Sequence, residues 1–173
     1  MFGTVSLLFK FETYKPLPNP CTSSDTIREI FLRQLQSYES ELGVLLPSLI
    51  TKIQKFYSLA FDCYQSCLRR IELLRKRNSA ISTEIDSQIF LFSKTIPNNL
   101  NTSEQWIMNN ATHIFSKITT LKCTLQNPSN VDFIFEAGLI KDALENYQKS
   151  STSILNTLER EFFIINQNNK NGS

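Results

Sequence analysis

Between residues 48 and 96 the apolar side chains keep a seven-residue rhythm that no glycine or internal proline interrupts. With Ile50 as position a of a heptad, the a series runs Ile50, Tyr57, Tyr64, Ile71, Asn78, Ile85, Phe92. The d series runs Ile53, Ala60, Cys67, Leu74, Ile81, Gln88. Asn78 and Gln88 are the polar members, and Phe61, Leu68 and Ile89 at e widen the stripe. This spacing predicts one very long coiled-coil or bundle helix near 48–94. About 45 residues at 1.5 Å each make roughly 68 Å, more than the ~40 Å diameter of a compact domain of this length. Such a helix either breaks around Asn78-Ser79 or makes the protein a rod, and the unbroken stripe favours the rod.

Shorter stripes flank it. Thr26 and Glu29 have the spacing of a capping box, and Ile27, Phe31, Leu35, Tyr38 and Leu42 follow at helical intervals. Gly43 suits the end of that helix and Pro47 the first turn of the next. The segment "IPNNLN" reads as a loop, with Asn101 and Glu104 capping a third helix along Ile107, Ala111, Ile114, Ile118, Leu121 and Leu125. After a second loop, "QNPSN", a fourth stripe runs from Ile134 through Ala137, Ile140, Leu144, Tyr147, Ser151, Ile154 and Leu158 to Phe162. The closing "NQNNKNGS" reads as a disordered tail. Residues 1–23 differ: Val5, Leu7, Phe9 and Phe11 alternate as in a strand, and Pro16, Pro18 and Pro20 hold the chain extended. The expected fold is all-α, an elongated helical bundle or coiled coil of about four helices with a short extended N-terminal arm. It divides into an arm (1–23), a bundle (24–166) and a tail (167–173).

Short loops make successive helices antiparallel neighbours. The first helix would then cover only the first half of the long one, leaving that half a two-helix hairpin, while the third and fourth complete a bundle on the far half. Two helices bury their stripes poorly. A partner helix is therefore expected on the seam of Phe31, Leu35, Tyr38, Ile50, Ile53 and Tyr57. Asn78 at an a position either fixes pairing register or marks a break.

Composition narrows the chemistry. The chain of 173 residues holds four glycines and one histidine, His113. A phosphate-wrapping glycine loop has no raw material here, and acid–base or zinc chemistry has little. Neither a catalytic residue, a cofactor, a metal ligand set nor a small-molecule substrate is expected. Cys63 and Cys67 share a helix face, but Cys21, Cys123 and His113 lie far off in sequence, so core thiols are expected. Glu159 and Glu161, two apart on a helix, diverge and form no catalytic pair. No stretch is long and apolar enough to span a membrane, and the start lacks the basic and apolar regions of a leader, so an intracellular setting, cytoplasmic or nuclear, is expected.

One charged run stands out. "CLRRIELLRKRN" carries Arg69, Arg70, Arg75, Lys76 and Arg77 against one acid, Glu72. Arg69 and Lys76 fall at f, Arg70 and Arg77 at g, and Arg75 at e, so four of them form one outward strip. Such a strip is ordinarily a solvated face or pairs with acids such as Glu39, Glu41 or Glu145 on neighbouring helices. Its functional reading is a grip on phosphate or anionic lipid, although aromatics are not interleaved as nucleic-acid binding usually requires. The net charge of +2 adds no argument for a polyanion partner. The leading expectation is a non-catalytic helical subunit of a multiprotein complex, joined to protein partners or to itself by helix–helix packing. Similar helix proportions occur in small subunits of eukaryotic chromosome, meiotic, kinetochore, tethering and adaptor complexes, an analogy of shape alone. The alternative is a peripheral binder of anionic membrane or nucleic acid through Arg69, Arg70, Lys76 and Arg77.

Overall fold

The computed structural model describes residues 24–77, 83–126 and 132–171. These are almost wholly helical, with no strand among them. Helix α1 spans Ser24–Lys76, α2 spans Thr83–Phe90, a π turn spans Leu91–Thr95, α3 spans Ile96–Gln126 and α4 spans Phe133–Asn171. The strand-like arm of residues 1–23 and the register position Asn78 lie outside the described residues.

Helix α1 corrects the expected boundary at Gly43 and Pro47. It runs 53 residues through both, about 80 Å along its axis. Proline inside a helix costs about 3 kcal/mol, because it cannot donate to the carbonyl four residues back. Here that carbonyl belongs to Gly43, an exposed residue with open space around it, so water can serve it. On either side Leu42 and Leu49 are buried, and each such side chain gains about 1.5–3 kcal/mol on leaving water. Burial on this scale matches the penalty. Gly43 and Pro47 are local signals of a helix boundary, and tertiary packing overrides both.

The single long helix expected near 48–94 is also corrected. It stops at Lys76, where the Arg77 amide turns back to the carbonyls of Leu73 and Leu74 at 3.2 and 3.1 Å. The next helix, α2, runs the other way. Cys67 faces Gln88 and, farther along, Lys122 of α3 pairs with Glu39 of α1. Reversal lets the two halves of one stripe bury each other, Ile71 and Cys67 on one side and Ile85 and Phe92 on the other. A straight rod would have left both wet.

The expected loop "IPNNLN" is helical as well. Pro97 cannot donate a backbone bond, and the preceding turn widens: the Ile96 amide reaches back five residues to the Leu91 carbonyl. One π turn thus carries the helix past its proline. Asn101 lies inside α3 rather than at its cap. Helix α4 is capped by Asp132, whose carboxylate accepts from the Phe135 amide at 3.1 Å. It continues through Asn171, past the tail boundary set at residue 167.

The result is three arms, up, down and up, rather than four helices. The second arm is α2, the π turn and α3 in series. The third, α4, runs parallel to α1: Phe31 meets Phe133 with ring centres 6.4 Å apart, and Phe56 stacks on Phe162 at 5.1 Å. Leu35, Leu42, Ile53, Leu100, Ile107, Ile118 and Leu144 are fully buried where all three arms run together. α4 packs on α1 and α3 but on neither α2 nor the π turn. The described residues therefore form a three-helix body and a two-helix tip.

Candidate interaction surface

The seam expected to receive a partner helix is filled from within. Leu35, Tyr38 and Ile53 are buried, and Phe31, Ile50 and Tyr57 are half-buried against the same core. Their cover comes from α3 and α4 of the same chain, which the expected topology had placed beside the far half of the stripe. Tyr38 accepts a 2.7 Å hydrogen bond from the Gln34 amide, and its burial pushes the phenol up. Burial also pushes Tyr57 up, and Glu104 facing it strengthens the hold on its proton. Glu41 is raised by burial and, secondarily, by the nearby carboxylate of Glu145. These groups are locked into the body.

Large apolar side chains are exposed elsewhere, among them Val44, Phe61, Phe90 and Phe163, and two stretches of this surface lie where the three-helix core of the described residues thins. At the start of α1, pairing of Lys122 with Glu39 brings the end of α3 close to residue 35, so among the described residues the first turns of α1 meet only the start of α4. Ile27 and Ile30 are exposed there, and on α4 Ile134 and Phe135 are 50% and 60% exposed. Charge at this end is balanced, with Arg33 beside Glu29 at 3.7 Å and Lys141 beside Glu145 at 3.7 Å. Sequence reading missed this surface. The signal was present in the stripes, which begin at Ile27 and Ile134, but the lateral offset of the helices decides what covers them.

The tip is the second place, and the basic strip sits on it. Arg69, Arg70, Arg75, Lys76 and Arg77 are all exposed. Among the described residues none of the five forms an ion pair. Glu39 and Glu145, offered as partners from sequence, are engaged by Lys122 and Lys141 in the body, and Glu41 is also there. Arg75 and Lys76 occupy the last turn of α1, where positive charge offsets the partial negative charge of the helix end. Around a helix, position c lies between f and g, which puts Leu73, 54% exposed, between Arg69 and Lys76 on one side and Arg70 and Arg77 on the other.

The remaining chemistry-bearing residues are dispersed. Cys67 is buried and Cys63 half-buried; burial raises both thiols and keeps them protonated. Cys123 is exposed, and no cluster of three or more metal-ligating side chains occurs among the described residues. His113 lines a shallow depression of about 190 Å³ between α3 and α4, with Trp106, Asn110 and Tyr147. A neighbouring depression of about 340 Å³ runs along Asn99, Thr102, Ser153 and Thr157. In the wall of the first, Trp106 stacks on Tyr147, ring centres 6.1 Å apart. Burial pushes the Tyr147 phenol up to about 12, with Ser151 one turn on opposing this slightly. Neither hydroxyl has a hydrogen-bond partner of good geometry among the described residues. No described helix is long and apolar enough to cross a membrane. No protein-family model, curated protein or solved structure matches the chain.

Proposed function

We propose that the chain is a non-catalytic helical subunit of a multiprotein complex, acting through helix-to-helix packing with other proteins. The observation that carries this reading is the mismatch of helix lengths. Among the described residues α1 outruns α3 at its start and α4 at its finish, so the three-helix core thins to two helices at both ends. Two-helix ends leave apolar surface that a further helix would bury. The exposed Ile134 and Phe135 are of the kind that anchor such contacts.

The experiment is sedimentation velocity on the full chain, with and without its co-purifying proteins from native cells. Expected is concentration-dependent self-association of the chain alone, reduced in an Ile134→Asp/Phe135→Asp double variant, and a stoichiometric complex when partners are present. A chain that stays monomeric at every concentration and recovers no stoichiometric partner would overturn the proposal.

A further inference from the structure

Resting on that reading, we infer that the two-helix tip is the docking site for an acidic amphipathic helix of a partner protein, laid end to end with α4. Consider the seven-residue line on α1 that contains Phe56. Leu35, Leu42, Leu49 and Phe56 are buried on it. Its next members are Cys63, half-buried, then Arg70 and Arg77, exposed. The line is apolar where the described α4 or the core covers it and cationic past the level of Asn171, the last described residue of α4. The neighbouring line does not change character: Ile53, Ala60 and Cys67 are buried and Leu74 is half-buried. Cys67 is covered from α2, so the apolar surface that the tip still offers is half-buried Leu68 and Leu74 with exposed Leu73, and its edge turns basic, the pattern of a bundle position whose neighbour carries acids.

Length fits a helix too. Ser66–Arg77 covers about 17 Å, or three turns. The segment 78–82 that follows holds no acidic residue, and the acids of the tip, Glu72, Glu84 and Asp86, form no ion pair with the five cations among the described residues. A second copy of this chain is a poor occupant of the same place, since it would set Arg70 and Arg77 against like charges. A bilayer is also a poor occupant: Leu73 is the one large apolar side chain among four cations, where interfacial helices present a broad apolar face. A nucleic acid would gain phosphate contacts but no stacking surface within the strip.

The test is a titration of the isotope-labelled full chain, followed by amide and side-chain NMR shifts. The probe is a synthetic amphipathic peptide of about three heptads, leucine at a and d, glutamate on both flanks. Saturable shifts are expected at Arg70, Leu73, Leu74 and Arg77, with affinity falling at least about ten-fold when the flanking glutamates become glutamine or when the protein carries Arg70→Glu/Arg77→Glu. Both arginines are exposed, so the double variant should keep its helicity, and circular dichroism checks that. Absence of saturable shifts, shifts confined to Ile27 and Phe135, or binding indifferent to either charge change would overturn the inference. So would phosphatidylserine vesicles or duplex DNA moving the tip resonances where the peptide does not. Native complexes separate the two claims: a partner retained by Arg70→Glu/Arg77→Glu but lost from Ile134→Asp/Phe135→Asp contradicts the acidic-helix site and leaves the complex-subunit reading standing.

Discussion

The same helix behaves differently at its middle and at its end. In the body, α1 buries Leu35, Leu42 and Ile53 against two neighbours, and the core is continuous from α1 through α3 to α4. At the tip α1 has one neighbouring arm among the described residues, Leu74 is half wet, and cations replace leucines on the edge. The difference shows that helix formation and burial are separate demands. The tip needs only its pairing with α2 and good helix formers; the body needs a filled core. Stability should reside in the body, and the tip should be free to vary.

Truncations give the widest separation. Leu42→Ala, at a fully buried site, should cost about 2–5 kcal/mol, while Leu74→Ala at the tip should cost about 1 kcal/mol or less. Urea denaturation of both variants measures the contrast, and equal losses would erase it.

Next in size is the continuity of α1 through the body. Pro47→Ala restores a backbone donor inside an unbroken helix and should stabilise by up to about 3 kcal/mol, with Gly43→Ala adding about 1 kcal/mol. A Cβ at Gly43 meets nothing within 4 Å. Were Gly43 instead a helix terminus, alanine there would destabilise, so the sign of the change in melting temperature decides.

This junction also marks how far the sequence could be read. The stripes of α3 and α4 were legible: from Ile107 to Leu125 every named position is buried, and from Ala137 to Phe162 all but half-buried Ile154 are. Helix ends were not. Gly43, Pro47 and Pro97 are local signals of interruption, and each is overridden by burial of its neighbours or by a π turn. Conversely, no strong breaker marks the reversal after Lys76; only polar Asn78 at a core position hinted at it. The five cations of the basic strip are exposed, and that none forms an ion pair among the described residues depends on which helices lie beside them, a matter of offset and direction that periodicity does not encode. The internal closure of the Leu35–Ile53 seam was illegible for the same reason.

A smaller effect probes the interior of the body. Tyr147 and Ser151 bury hydroxyls without good partners, so Ser151→Ala should gain up to about 1 kcal/mol. Tyr147 has its folded pKa raised from 10.0 to about 12. A raised value means the folded state holds the proton more tightly, so this contribution is intact below pH 10 and is lost as pH rises through 12. Tyr147→Phe should therefore flatten the alkaline limb of a stability–pH profile while leaving neutral pH little changed. The smallest effect belongs to the tip: Arg70→Glu/Arg77→Glu should move stability by no more than about 0.5 kcal/mol, because among the described residues neither side chain has an ion pair to lose.

The contrast between body and tip is tested most directly by native-state hydrogen exchange along α1, read residue by residue in low denaturant. Amides from Leu35 to Ala60 should exchange only through global unfolding, and those from Cys67 to Lys76 through a local opening of clearly lower free energy. Uniform protection from Leu35 to Lys76 would contradict the account, because it would mean that the tip is as fully covered as the body.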